Sequence, residues 1–203
     1  MRAEVLFFGG GGHAAVCLDV FRSSGRTVLG YLGPEPTALD VPHLGADDAL
    51  VTFDPGKVEV FIAIGSNSGR QKLAAQAMFA GFHLATGIHA SAVVSPSAVI
   101  GAGSVLMPGA IVNARTHLGT SVIVNTGASI DHDGLVGDSV HVAPGSHVAG
   151  SVRIGDGAFL GVGVSVIPDI TIGAWSVIGA GAAVVSDVPA DVVAIGVPAR
   201  SRC

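Results

Sequence analysis

The chain has 203 residues, with ten Lys and Arg against 15 Asp and Glu, a net charge of −5 with the histidines neutral. No basic cluster is available to neutralise a phosphate backbone, which argues against nucleic acid as the main partner. Mean hydropathy is high at +0.64, yet Gly, Ser, Asp or Pro breaks every apolar run before it could span a bilayer, so no membrane association is expected. The start at Met1-Arg2 shows no secretory pattern, and the two cysteines, Cys17 and Cys203, offer no disulfide framework. A reducing cytoplasm is the expected compartment.

In chain order, residues 4–8 (EVLFF) read as a buried strand that runs into Gly9-Gly10-Gly11-Gly12-His13. Residues 14–24 have helical spacing, with Val16, Val20 and Phe21 expected on one buried side. Residues 27–32 and 58–64 read as further strands, and residues 69–80 as a second helix. Strand, glycine loop, helix and strand predict a small Rossmann-like α/β unit with a parallel sheet, assigned to residues 1–85.

From Ile88 to Pro189 the sequence repeats every six residues, and each of the 17 hexads opens on Ile, Leu or Val. The fifth position is small or β-branched, as in Ala92, Ser104 and Thr116. One bulky and one small inward residue per hexad suit short flat strands stacked around a narrow core. The second position is rich in Gly, Asn and Asp, and is expected to make the turns in left-handed backbone conformations. Gly101, Gly119, Gly137, Gly155 and Gly173 lie 18 apart, one per three hexads. Three sides per turn predict a triangular prism, a parallel β-helix, over residues 86–203.

Two features carry candidate chemistry. A glycine loop between a strand and a helix lets backbone N–H groups approach phosphate at the helix N-terminus, and can equally be a tight turn with no ligand. His13 could bond a phosphate or cap the turn. Ile64-Gly65-Ser66-Asn67 ends the third strand at the same carboxyl edge, which strengthens the case for a pocket. The second feature is Asp131-His132-Asp133, the most polar point of the repeat. A histidine flanked by carboxylates can be oriented through one nitrogen and abstract a proton with the other, Asp133 activating it. Gly150 lies one coil, 18 residues, after His132, with a backbone N–H free to face a reacting carbonyl. The other histidines lack the spacing that zinc-binding hexapeptide prisms require, so no metal is expected.

The combination of Phe8-Gly9-Gly10-Gly11-Gly12-His13-Ala14, Ala63-Ile64-Gly65-Ser66-Asn67, Asp131-His132-Asp133 and the terminal Gly196-Val197-Pro198-Ala199-Arg200 resembles the sialic acid O-acetyltransferase family. That family includes the bacterial nucleotide-sugar N-acetyltransferases acting on 4-amino-4,6-dideoxy sugars, and the resemblance covers nearly the full length. It implies a left-handed β-helix, a homotrimer with active sites between neighbouring prisms, and acetyl-CoA as cosubstrate. By the same resemblance His132 is the general base and Asp133 its activator. Gly11, Gly12, His13 and Gly65 bind the nucleotide-linked amino sugar, and His141, Gly150, Val162 and Ala180 line the acetyl-CoA groove, closed by the Gly196-Val197-Pro198-Ala199 segment. Two positions depart from the family: Gly33-Pro34-Glu35 replaces an acidic pair that reads the nucleobase, leaving UDP and GDP both open, and Ala15 stands where many members have Lys. The expected activity is acetyl-CoA-dependent N-acetylation of the sugar amine. O-acetylation of sialic acid uses the same base on a hydroxyl, and a sugar-nucleotide-binding scaffold is the non-enzymatic alternative.

Overall fold

The computed structural model describes residues 3–202. Three parallel strands, β1 (Glu4–Phe8), β2 (Val28–Leu32) and β3 (Val58–Ile62), form a sheet in the order β2-β1-β3, with α1 (Gly12–Ser23) after β1 and α2 (Asn67–Phe79) after β3. β1 occupies the centre because Val5, Leu6, Phe7 and Phe8 are apolar on both sides, as a strand covered on both faces requires. Helix α1 buries Ala14, Cys17, Leu18, Val20 and Phe21. Val16, expected on that side, instead faces solvent at 39% exposure. Positions 14, 17, 18 and 21 make one helical stripe, and residue 16 falls outside it.

The repeat builds two-residue strands from β4 (Gly87–Ile88) to β20 (Ala183–Val184), paired in parallel with partners 18 residues away, as in Ile123 with Val105 and His141. They form three sheets, the faces of a left-handed parallel β-helix. The first face holds Val105, Ile123, His141, Phe159 and Val177; the second Ile111, Ser129, His147 and Ser165; the third His117, Leu135, Arg153 and Thr171. Each hexad's first residue points inward, and Leu106, Val112, Val124, Ile130, Val142 and Leu160 are almost fully buried in one continuous core. Val193–Ile195 extends the first face and Arg200–Arg202 pairs antiparallel to it.

The turns correct the expected backbone geometry. Left-handed φ falls on the fourth position of the hexad, at Gly103, Gly109, Arg115, Ser121, Asp133 and their equivalents, and not on the second. Glycine at the second position serves close approach instead. A Cβ on Gly137 would collide with the backbone and carboxylate of Asp156 in the next coil, and one on Gly155 with the backbone of Ala174. Stacked coils leave no room there for a side chain.

The α/β unit shares a core with the prism. Phe7, Phe21 and Phe61 form an aromatic cluster that packs with Val105, Met107 and Ile123 of the lower coils. The outward side of the first face is therefore covered at Val105 and Ile123, each below 2% exposed, half-buried at His141 and Phe159, and open at Val177. Gly87 allows this docking, since a Cβ there would strike the Phe21 ring. No described helix is long and apolar enough to cross a membrane.

Candidate active site

The four glycines after β1 divide their work. Gly9 turns the chain at φ +99, and a Cβ on Gly10 would collide with Tyr31. Gly11 and Gly12 have nothing within 4 Å of a built Cβ, and the same holds for Gly65. These three positions thus face open space at the carboxyl edge of the sheet. Gly11 is the N-cap of α1 and supplies no side-chain cap, so the first N–H groups of the helix point out unfilled, with the positive end of the dipole behind them.

Behind this edge lies Arg70, 1% exposed. Its guanidinium donates to the carbonyls of Ser121 and Ser139 at 2.7 Å, of Gly65 at 3.1 Å and Ile64 at 3.2 Å, and to Asn67 Oδ1 at 3.0 Å. None of these partners is a carboxylate. Burial pulls the guanidinium down to about 10, and its charge is spread over carbonyl dipoles. Asn67 completes the seam by donating to the carbonyls of Gly157 and Ala158. The β3–α2 loop is therefore fixed to the prism.

His13 and His141 meet at this seam with ring centroids 6.4 Å apart. His141 also packs edge-on against Phe159 at 5.2 Å and holds Asn125 Nδ2 at 3.0 Å from its Nε2. Burial first, and then the Arg70 charge, lowers His13 to about 4; burial, Arg70 and His13 lower His141 to about 3, with the Gly65 carbonyl acting weakly the other way. Both rings are neutral at physiological pH. Among the described residues, His13 Nε2 and His141 Nδ1 are buried without a normal hydrogen bond. A cleft of about 380 Å³ continues from Gly65 and Asn67 past Phe159 to Trp175 and Val177. The largest cavity, about 810 Å³, lies at the opposite sheet edge beside Arg26 and Lys57 and contains none of the candidate residues.

The Asp131-His132-Asp133 cluster occupies the edge between the second and third faces. Asp131 accepts from the His132 N–H at 2.8 Å and from Asn113 Nδ2 at 3.0 Å. His132 Nδ1 lies 2.7 Å from Asp133 Oδ2. Asp133 is also gripped by Arg115, which with the imidazole holds its carboxyl well below the usual carboxylate range. Gly150 lies directly over the ring: a Cβ there would be 2.6 Å from His132 Nε2. Among the described residues the Gly150 N–H donates to no backbone carbonyl.

One chain does not bring the two groups of residues together. His13, Gly65 and His141 lie at the first face, while His132 and Gly150 stand on the edge opposite it. Val162 and Ala180 stack on the edge between the first and second faces, both exposed. The four residues expected to line one acetyl-CoA groove are thus spread over three parts of the prism, and His141 groups with the glycine loops. Arg115, Arg70, Asn125 and Phe159 were not anticipated. Only Arg115 left a signal, lying 18 residues before Asp133 and hence directly beneath it.

Residues 4–77 match the PglD N-terminal domain, and residues 151–185 match the bacterial transferase hexapeptide (six repeats) family. The structure superposes with a TM-score of 0.96 on a histidine-to-asparagine variant of perosamine N-acetyltransferase from Caulobacter crescentus in complex with CoA and GDP-perosamine. Identity is 44% over 100% of this chain and 98% of that one. The chain belongs to the nucleotide-sugar N-acetyltransferase family. The acetyltransferase domain of PglB from Neisseria gonorrhoeae, in complex with acetyl coenzyme A, matches this acetyltransferase at 34% identity over the full length of both, again with a TM-score of 0.96. WeeI from Acinetobacter baumannii matches at 25% identity over 99% of this chain and 100% of that one, with a TM-score of 0.89. In this N-acetyltransferase, therefore, both the α/β unit and the prism have counterparts across the whole chain.

Proposed function

We propose that the protein transfers the acetyl group of acetyl-CoA to the amine of a nucleotide-linked amino-deoxy sugar, with His132 as general base. The observation that carries the reading is the His132–Asp133 pair beneath Gly150. A carboxylate can only accept, so Nδ1 carries the hydrogen and Nε2 keeps a lone pair for the amine proton. The free Gly150 N–H is available to the acetyl carbonyl oxygen as negative charge develops there. We assign the sugar nucleotide to residues 1–85, with Gly11, Gly12, His13 and Gly65 around its pyrophosphate. Their open space, the bare helix end and the buried Arg70 cation favour an anion at that edge.

We assign acetyl-CoA to the prism, residues 86–203, along Gly150, Val162 and Ala180, with His141 at the seam where the acetyl group meets the sugar. A homotrimer follows from this assignment, because the base and the glycine loops lie on opposite sides of one prism and neighbouring prisms would unite them. GDP-perosamine is the acceptor to test first, given the 44% identity to the Caulobacter crescentus enzyme. CoA-thiol release should depend on GDP-perosamine and on acetyl-CoA together, and sedimentation should give a trimer. Gly11→Leu should raise the sugar-nucleotide KM and leave that for acetyl-CoA nearly unchanged. No release with any nucleotide-linked amino sugar, or full activity in a stable monomer, would refute the reading.

A further inference from the structure

His132 works on an open edge. Its side chain is 53% exposed and that of Asp133 38%, so packing alone does not hold the imidazole in one orientation. Arg115, one coil earlier, supplies a different restraint. Its Nε donates to Asp133 Oδ1 at 2.7 Å and a terminal N–H donates to Oδ2 at 2.8 Å. A two-pronged contact to both oxygens fixes the carboxylate plane as a single contact would not. The same Oδ2 receives the His132 Nδ1 hydrogen at 2.7 Å. Arg115, Asp133 and His132 thus form one chain of contacts ending at the free Nε2.

Stability does not account for Arg115. Its side chain is 65% exposed, and ion pairs that open to water contribute little to folding. Its backbone lies at φ +60, in the left-handed region where the equivalent turn positions Gly103, Gly109, Gly127 and Gly145 carry no side chain. A long side chain is kept where glycine would suit the backbone better, and it is aimed at the partner of the base.

We propose that Arg115 is a positioning residue for the acetyl transfer: it clamps Asp133 so that His132 keeps its hydrogen on Nδ1 and presents Nε2 to the acceptor amine. The proposal rests on the assignment of His132 as base. In the reaction the amine nitrogen bonds to the thioester carbonyl carbon and its proton passes to Nε2. The C–S bond then breaks with its electron pair going to sulfur, and the thiolate takes the proton back from Nε2 to give CoA thiol and the acetamide. Arg115 touches none of the reacting atoms. Its cation also opposes a second positive charge in the cluster, which favours return of the proton to sulfur. The other charged or titratable groups around this edge are Asp131, committed to Asn113 and the His132 N–H; His147, bonded to Ser129; His117 on the third face; and Asp169 on the coil after Gly150.

The test compares Arg115→Gly, Arg115→Lys and His132→Ala in the full-length protein, using acetyl-CoA and GDP-perosamine. Arg115→Gly should lower kcat about tenfold, the order seen when the outer partner of a functional histidine is lost, with little change in either KM. The acidic limb of its kcat–pH profile should move to higher pH, because removing a neighbouring cation lets the imidazolium persist. Loss of the Asp133 carboxylate would move it the other way, so the direction identifies the arginine. Nitrogen NMR of labelled histidine should show the single Nδ1–H form of His132 giving way to a mixture, and Arg115→Lys should recover part of each effect. A pH limb and tautomer unchanged in Arg115→Gly, whether kcat is normal or uniformly reduced, would overturn the proposal, while an inactive His132→Ala would leave the base assignment standing. Full activity of His132→Ala would overturn both.

Discussion

Gly150→Ala is the sharpest probe of the proposed base. Gly150 is buried and lies outside the left-handed region, so alanine fits its backbone and the only obstacle is the ring beneath it. The new Cβ would stand 2.5 Å from His132 Cε1 and 2.6 Å from Nε2, where ordinary contact begins at 3.4 Å. The imidazole must withdraw by about 1 Å, and a misplacement of that size can cost about 10²-fold in rate. That corresponds to about 2.7 kcal/mol in the barrier. Because the ring is half exposed it can swing towards water, so the fold should lose little, about 0.5 kcal/mol or less. Initial rates of CoA-thiol release, read beside a thermal melt of the same sample, separate the two effects. A variant with wild-type kcat would refute the placement of the reacting groups between His132 and Gly150. A large drop in melting temperature would instead mark Gly150 as a packing residue.

His132→Ala should lower kcat by about 10²–10⁴ with little change in KM, since a base acts mainly in the transition state; steady-state kinetics at neutral pH checks this. Arg70→Met should destabilise the fold by about 3 kcal/mol, because it strips donors from the buried Ser121 and Ser139 carbonyls that tie α2 to the prism. An unchanged urea midpoint would show that those carbonyls find other partners. Stability should also depend on pH through the seam. His13 and His141 titrate near about 4 and about 3 when folded, against 6.5 for the free group, so the unfolded chain takes up protons first as pH falls. Their contribution is complete above about pH 6.5 and is lost as pH falls towards 4. Urea midpoints over this range should decline, with a shallower slope in His141→Gln; equal slopes in both proteins would count against a buried neutral His141.

Much of the architecture was legible because it repeats. A six-residue period with an aliphatic at each first position can bury its side chains only as stacked flat strands, so the prism and its 18-residue register follow from spacing alone. The register also places Gly150 over His132, and it would have placed Arg115 under Asp133 had the column been followed downward. The glycine loop was legible as a strand-to-helix turn, but its four residues are alike in sequence and differ only in what surrounds them. Gly10 meets Tyr31, whereas Gly11 and Gly12 meet nothing. The left-handed turns fell on Arg115, Ser121 and Asp133 instead of on the second-position glycines, because the crowding that demands glycine comes from the neighbouring coil.

By itself, then, the sequence determined the period, the inward and outward faces, the order of strand, loop and helix, and the chemical identity of the Asp-His-Asp cluster. These depend on neighbours at fixed intervals along the chain. The tertiary structure alone decided that Arg70, a helix residue indistinguishable in sequence from a solvated one, is buried among the carbonyls of Ser121 and Ser139. It also decided that His141 belongs with His13 at the seam, and that the base stands across the prism from the glycine loops. Each of these depends on how the α/β unit docks against the first face. That docking is set by Phe7, Phe21 and Phe61 packing on Val105, Met107 and Ile123, contacts between segments far apart in the chain that no local period encodes.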